Sequence, residues 1–355
     1  MYVNLTMDKA HYIISSLAKN PEYYEEVISL IEKEFHYENP FSFTTDFAPL
    51  VNPNNFENCF IVIHLETKKL VAHLGVLPRV MMKNKIEMPI MMIGGIVTEK
   101  AHRGKNLFRG LMNHACDLYK DKVALVFLWS ELQDIYEKFS FHRAGGIIET
   151  GKNVITHDKI PGGFLKTNFS KLSSSEFDEI KSIYQNFNEK YFFTLKRTAQ
   201  DWSVIRGMNS IDLYTRKDTA GKIESYFCYG KGKDLTCIIH EIGTTEDNYH
   251  ELINTLSPYK VWLPESEKKF FINKEVSYSS FVKILNRKLL HDFLYFVTAT
   301  DLALLTFEGP VELSFRGDTF ELTEKDFIEG LLGPSPLEEF EALELSPYIT
   351  GTDSI

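Results

Sequence analysis

The stretch IGGIVTEKAHRGKNLFR, Ile93 to Arg109, is where an apolar run stops at a threonine and a basic, glycine-bearing turn opens an amphipathic helix. Upstream, Met88 to Thr98 fit a buried strand. Downstream, Leu107, Leu111, Ala115 and Leu118 recur at helical spacing beside Phe108, Met112 and Tyr119. The N–H groups of Gly104 to Phe108 then fall at a helix start, where the first donors lack intrahelical partners and the helix dipole favours an anion. Arg103, Lys105 and Arg109 add positive charge around the same turn. This order predicts a cradle for a pyrophosphate, although an ordinary basic strand–loop–helix connection would show the same six residues.

The next apolar run, Val123 to Trp129, reads as a second continuous strand, and Ser130 opens a polar turn into Ile135-Tyr136-Glu137-Lys138-Phe139-Ser140-Phe141. Val97-Thr98, the run Arg103-Gly104-Lys105-Asn106-Leu107-Phe108 with Arg109, and this tyrosine segment resemble the GCN5-related N-acetyltransferases (GNAT). In that family a splayed strand and the loop after it hold the pantetheine and pyrophosphate of acetyl-coenzyme A (acetyl-CoA). The family pattern is Arg or Gln, two residues, Gly, one residue, then Gly or Ala, and its tyrosine segment ends Tyr-x-x-Phe-Gly-Phe. Asn106 stands at the first small position, where Asn accepts tight backbone geometry better than most side chains. Phe108 stands at the last, where a ring turned toward the loop would crowd the pyrophosphate. Ser140 takes the place of a glycine.

A tyrosine at position 136 has a chemical use. Aminolysis of a thioester expels a thiolate whose conjugate acid has a pKa of roughly 8.5, and a phenol near about 10 can donate a proton to it. Tyr136 is thus the candidate general acid. With 17 Tyr and 27 Phe in the chain, an aromatic in the core is the competing expectation.

Around this centre the chain reads as a mixed α/β protein. Tyr24, Val27, Ile28, Ile31 and Phe35 mark a first helix behind Pro21. Strands are expected at Cys59–Leu65, Leu70–Leu77 and Val80–Met82, so that an acetyltransferase domain is complete by about Gly146, with Gly145-Gly146 as punctuation. A middle region repeats the pattern: a helix through Phe177 and Tyr184, strands at Ile211–Tyr214, Ile223–Tyr229 and Leu235–Ile242, and a helix at Tyr249–Leu256. No basic glycine loop follows Glu241-Ile242, so this second half-domain is degenerate. A hairpin at Leu313–Leu322 and a helix at Glu324–Leu332 lie near the end. The expected divisions are a catalytic GNAT domain over residues 1–150, a degenerate GNAT-like domain over 151–272 and a small terminal α+β domain over 273–355.

This tandem layout is similar to the Eis-like (enhanced intracellular survival) branch of GNAT. That resemblance implies coenzyme contacts at the backbone of Ile96, Val97 and Thr98, at the loop Arg103 to Arg109, and at Ser130. In that branch bulky residues occur at the position of Phe108, the last domain is sterol-carrier-like, hexamers are frequent, and the terminal carboxylate helps to deprotonate the amine. The corresponding group here is the carboxylate of Ile355. An α-carboxyl near about 3.5 is a poor base unless it is desolvated or relayed through water.

The length of 355 residues calls for more than one core. A formal charge of -10 argues against nonspecific nucleic-acid binding and is compatible with an amine-bearing acceptor. Cys59, Cys116, Cys228 and Cys237 form no CxxC pair, so neither a zinc site nor a disulfide framework is expected. No window reaches about 18 apolar residues and the start lacks leader character, so a cytoplasmic protein with no membrane partner is expected. Four other features invite a role. His240-Glu241 lacks a further ligand at metal spacing and reads as a core histidine; His102 and His114 flank the basic turn; Asp46 and Asn55 lie in a polar loop read as solvated; Glu131 adjoins Ser130. The expected activity is metal-free acetyl transfer from acetyl-CoA to a primary amine by direct attack in a ternary complex. The alternatives are a noncatalytic acyl-CoA sensor and an acyltransferase with a nonstandard acceptor.

Overall fold

The computed structural model describes residue 7 and residues 10–156, 159–270 and 275–355. The boundary expected at 272/273 and the first six residues lie outside that description. The first region contains β1 (Tyr12–Ser16), α1 (Tyr24–Glu34), β2 (Cys59–His64), β3 (Leu70–Lys83), β4 (Ile86–Thr98), α2 (Leu107–Tyr119), β5 (Leu125–Leu128) and β6 (His142–Thr150). The second contains β7 (Leu165–Thr167), α3 (Ser174–Tyr191), β8 (Thr194–Lys196), α4 (Ala199–Gly207), β9 (Asp212–Lys217), β10 (Ile223–Tyr229), β11 (Ile239–Thr244), α5 (Tyr249–Leu256) and β12 (Val261–Pro264). The third contains β13 (Glu275–Ile284), α6 (Arg287–Val297), β14 (Leu302–Leu304), β15 (Val311–Phe315), β16 (Asp318–Leu322) and α7 (Glu324–Leu332).

One 13-stranded sheet runs through the molecule in the order β1-β2-β3-β4-β5-β13-β6-β12-β11-β10-β9-β7, with β8 on β3; β14, β15 and β16 form a separate small sheet. Within the large sheet the pattern β4–α2–β5 recurs as β11–α5–β12, each a parallel pair joined by a helix. Strand β13 slots between β5 and β6, antiparallel to both, so a strand of the third region completes the sheet of the first. Gly145 and Gly146, expected to punctuate the chain, instead lie inside β6. A Cβ on Gly145 would stand 2.8 Å from the carbonyl oxygen of Pro347, so glycine there permits the closing segment to approach.

The long hairpin β3–β4 is built from Val, Ile, Leu and Met buried on both faces, as a central sheet position requires. Its two-residue turn places Asn84 and Lys85 at φ 52 and 67, the left-handed pair whose twist suits adjoining strands. One sheet face packs α1 with Leu50, Ile90, Met92, Phe127 and Ile355; the opposite face packs α2 with Met91, Ile93, Val126, Leu128 and Tyr136. No described helix is long and apolar enough to cross a membrane.

Candidate functional site

Strands β4 and β5 pair in parallel from Ile90 opposite Leu125 to Ile93 opposite Leu128. Beyond that point β5 ends while β4 continues to Thr98, so the two strands part. The β3–β4 register shifts between His73 and Gly75, which puts a bulge on β4 at Gly95, whose φ is +59. His73 is fully buried, and its Nδ1 lies 2.7 Å from the Gly95 carbonyl; a carbonyl only accepts, so Nδ1 carries the proton. Burial lowers the His73 pKa to about 4, which keeps the ring neutral. The bulge leaves Gly94 to Thr98 as the strand edge facing the gap, with Ile96 and Thr98 partly exposed and Val97 turned inward.

Beside this edge the turn leaves its backbone open. Gly104 has φ +77 and a Cβ on it would meet nothing within 4 Å, so the backbone is open to an approaching group. Asn106, at φ 59 and ψ 21, takes the left-handed conformation at the helix N-cap and gives no side-chain cap. The first intrahelical bond of α2 runs from Gly110 N to Asn106 O at 2.9 Å, so the N–H groups of Leu107, Phe108 and Arg109 precede the helical ladder. The helix starts at Leu107; Gly104, Lys105 and Asn106 form the turn before it.

The basic side chains do not all face the cradle. Arg103 is paired with Glu34 at the end of α1, and its Nε donates to the Thr98 carbonyl at 3.2 Å. Lys105 lies over the Tyr12 ring and Arg109 over the Phe139 ring, at 5.8 and 5.0 Å. Phe108 packs edge-on against Tyr136 and Phe139, ring centroids 6.0 and 5.1 Å apart. Its ring therefore joins the aromatic cluster instead of covering the turn.

Tyr136 closes a four-residue helix, Gln133–Tyr136, directly after β5. It is buried among Phe108, Phe141 and Phe281. Burial raises its pKa, and a hydrogen bond with the Ser130 side chain partly opposes the rise, so the phenol is protonated at neutral pH. Ser130 Oγ also accepts from Leu132 N at 3.0 Å, which fixes the turn. Glu131 is exposed.

From the other face of the sheet comes Ile355. A Cβ on Gly94 would stand 3.1 Å from the Ile355 carboxyl carbon and 3.2 Å from Leu50, so glycine at 94 makes room for this residue where the strands part. Ile355 is 8% exposed. The segment leading to it is tied down by groups that sequence reasoning missed: Arg79, Arg197 and Lys231. Arg79 alone left a trace, as a charge inside an apolar strand.

The loop residues expected to be solvated are buried. Asn55 donates to the carbonyls of Leu50 and Val76 at 2.7 and 2.9 Å, a structural role. Asp46 is 2% exposed and faces a cavity of about 390 Å3 that Lys231 also lines. Burial raises its pKa, against Ser210 and Lys231, which lower it. The loop at residues 230–237, distant in sequence, covers this region. His240 is a core histidine bonded to the Gly230 carbonyl at 3.1 Å, and Glu241 is an ion-pair partner of Arg197. His102 bonds the Tyr12 hydroxyl at 2.9 Å, and His114 packs edge-on against Phe60. Among the described residues no group of three or more His, Cys, Asp or Glu is placed to hold a metal ion.

Residues 18–144 match the family profile of the acetyltransferase (GNAT) domain. No curated protein sequence matches the chain. Among solved structures, a GCN5-related N-acetyltransferase from Kribbella flavida superposes with a TM-score of 0.60 at 10% identity, covering 98% of this chain and 100% of that one. Eis1 from Mycobacterium abscessus gives 0.55 at 11% identity, covering 88% and 83%. An N-myristoyltransferase from Saccharomyces cerevisiae with bound myristoyl-CoA and inhibitors gives 0.50 at 12% identity, covering 79% and 81%. At these identities the likeness is one of fold: the chain has the GNAT fold over most of its length, and residues 18–144 match the GNAT domain profile by sequence as well.

Proposed function

We propose that this protein is an acetyl-CoA-dependent N-acetyltransferase that acylates a primary amine by direct attack in a ternary complex, organised as in the Eis-like branch of GNAT. The carrying observation is the parting of β4 and β5 with three features around it: the open turn and uncapped start of α2, the buried phenol of Tyr136 packed on Phe108 of α2, and Ile355 against Gly94 of β4. The turn fits a pyrophosphate because Gly104 leaves its approach clear and the N–H groups of Leu107 to Arg109 are unspent. The edge from Ile96 to Thr98 supplies backbone groups for the pantetheine arm, and Ser130 orients Tyr136.

In the reaction a neutral amine attacks the thioester carbonyl. The new C–N bond forms, the C–S bond breaks, the thiolate takes the Tyr136 proton, and the amine proton leaves to the Ile355 carboxylate directly or through water. Solvent then restores both groups. Alignment of amine and thioester in the gap supplies much of the acceleration. All four cysteines are free thiols, in keeping with a reducing, cytoplasmic setting.

Thiol release from acetyl-CoA with a pool of primary amines tests the reading. Turnover is expected in wild type and lost in Tyr136→Phe with coenzyme binding intact. Amine-independent binding without turnover in a folded wild-type sample would make the protein an acyl-CoA sensor instead.

A further inference from the structure

Residues 345–355 have no long helix or strand of their own, yet they are buried almost throughout. Tyr348 N donates to the Phe193 carbonyl at 2.7 Å, which lays the segment beside β8. Asp353 then enters a cluster of buried charges drawn from four places. Its Oδ1 accepts from Arg79 of β3 at 3.1 Å, and its Oδ2 accepts from Arg197 Nε and Nη2 at 3.0 and 2.8 Å. Arg197, fully buried just after β8, also grips Glu241 of β11 with two bonds, at 3.0 and 2.5 Å. Lys231 Nζ donates to the carbonyls of Gly351 and Ser354 at 2.8 and 2.5 Å. Thr350 completes the set with a bond to Glu241 at 2.8 Å.

Fold stability alone is a weak reason for such a cluster. Desolvating several ions is costly, and apolar side chains of similar volume often serve as well or better. What the ions supply is position. The bonds from Arg79, Arg197, Lys231 and Glu241 to the segment all fall within five residues of Ile355, and the two arginines reach it from β3 and from the end of its neighbour β8.

We propose that Asp353 is a positioning residue which, gripped by Arg79 and Arg197, holds Ile355 against the β4 bulge, so that the second unit serves as the receiver of this segment. The proposal rests on the assignment of the Ile355 carboxylate to the reaction. The second unit thereby acts without a coenzyme loop of its own: Glu241 anchors Arg197 from the strand that would precede such a loop.

The test uses the 355-residue chain with three changes: Asp353→Asn, Lys231→Met, and two glycines added after Ile355. Carboxypeptidase release of Ile355 reports the position of the segment, amine-dependent thiol release reports kcat and KM, and calorimetry reports acetyl-CoA affinity. In Asp353→Asn, release of Ile355 is expected to quicken and kcat to fall, each by about tenfold or more, because a broken buried pair frees the segment locally. Acetyl-CoA affinity is expected to stay within about twofold, and Asp353→Glu to recover part of kcat. Should Asp353→Asn fail to fold, Lys231→Met carries the test, since it removes the three bonds from Lys231 Nζ to Gly351 and Ser354 and leaves both arginines on Asp353. Wild-type resistance to carboxypeptidase and wild-type kcat in both variants would overturn the proposal. Full activity of the glycine-extended chain would instead overturn the role of the carboxylate, while an inactive extension with unaffected Asp353→Asn and Lys231→Met would overturn the clamp alone.

Discussion

The crossovers β4–α2–β5 and β11–α5–β12 share a layout and differ in the turn that leaves the first strand. After β4 comes a turn with Gly104 and Asn106 in the left-handed region and a helix whose first turn holds no acidic residue. After β11 come Thr245, Glu246, Asp247 and Asn248, and the carboxylates of Glu246 and Asp247 stand at the start of α5. Such carboxylates satisfy the helix dipole that an anion would otherwise use. Inside the strands the contrast reverses: β4 carries Gly94 and Gly95, which admit Ile355 and form the bulge, whereas β11 carries His240 and Glu241, committed to internal bonds. One supersecondary unit thus leaves its strand and turn open, the place where the proposed chemistry needs them, and the other fills both with internal bonds.

The largest effect is expected where the first crossover meets the reaction. Tyr136→Phe should lower kcat by about 10²–10⁴-fold, the range of general acid catalysis, with acetyl-CoA affinity unchanged by calorimetry. Unchanged turnover would remove the chemical distinction between the two crossovers at a stroke.

Acid should loosen both units. Burial holds His73 and His240 at about 4, below the usual 6.5, so the unfolded chain binds more protons between those values. A depressed histidine therefore destabilises the fold progressively as pH falls from 6.5 to 4, by on the order of 3 kcal/mol for each fully buried ring, with no contribution above 6.5. Chemical denaturation between pH 4 and 8 measures this; a His73→Gln variant should lose about half of the slope. A flat profile would contradict the neutral, bulge-holding role of His73.

A smaller change is expected from Gly104→Ala. Its φ of +77 strains any L side chain by about 1–2 kcal/mol, and the new methyl points into the cradle. Acetyl-CoA should bind about tenfold or more weakly by calorimetry, since roughly 1.4 kcal/mol corresponds to tenfold. The smallest effect belongs to the second crossover: the double variant Glu246→Gln, Asp247→Asn should leave acetyl-CoA affinity within about twofold, because no exposed carboxylate there meets the coenzyme.

Local patterns carried the elements around the candidate site. Ile223–Tyr229 and Glu324–Leu332 stand in the structure with the bounds their periodicity indicates, and the helix after Asn106 buries its apolar stripe except at Leu118, where Tyr119 turns inward instead. Strand β3 reads from sequence as two strands because Pro78 interrupts it. Pro78 sits where β3 changes partners along one side, from β2 up to Gly75 to β8 from Val80, while β4 pairs along the other side. Nothing local signals that β13 will enter between β5 and β6, or that Asp46 will be covered by residues 230–237. The clamp was invisible for the same reason: Arg79 and Asp353 meet across 274 positions, and long-range ion pairs leave no period in a sequence. The candidate site was thus legible in the strand, turn and helix that adjoin it in sequence, and hidden where distant segments pack on it.

Calorimetric titration of the wild-type chain with acetyl-CoA tests the central claim most directly, because the contrast between the crossovers is a claim about one competent cradle. One site per chain is expected, lost when Gly104 is replaced by a bulkier residue. Two sites per chain, or no binding by a folded sample, would contradict the account.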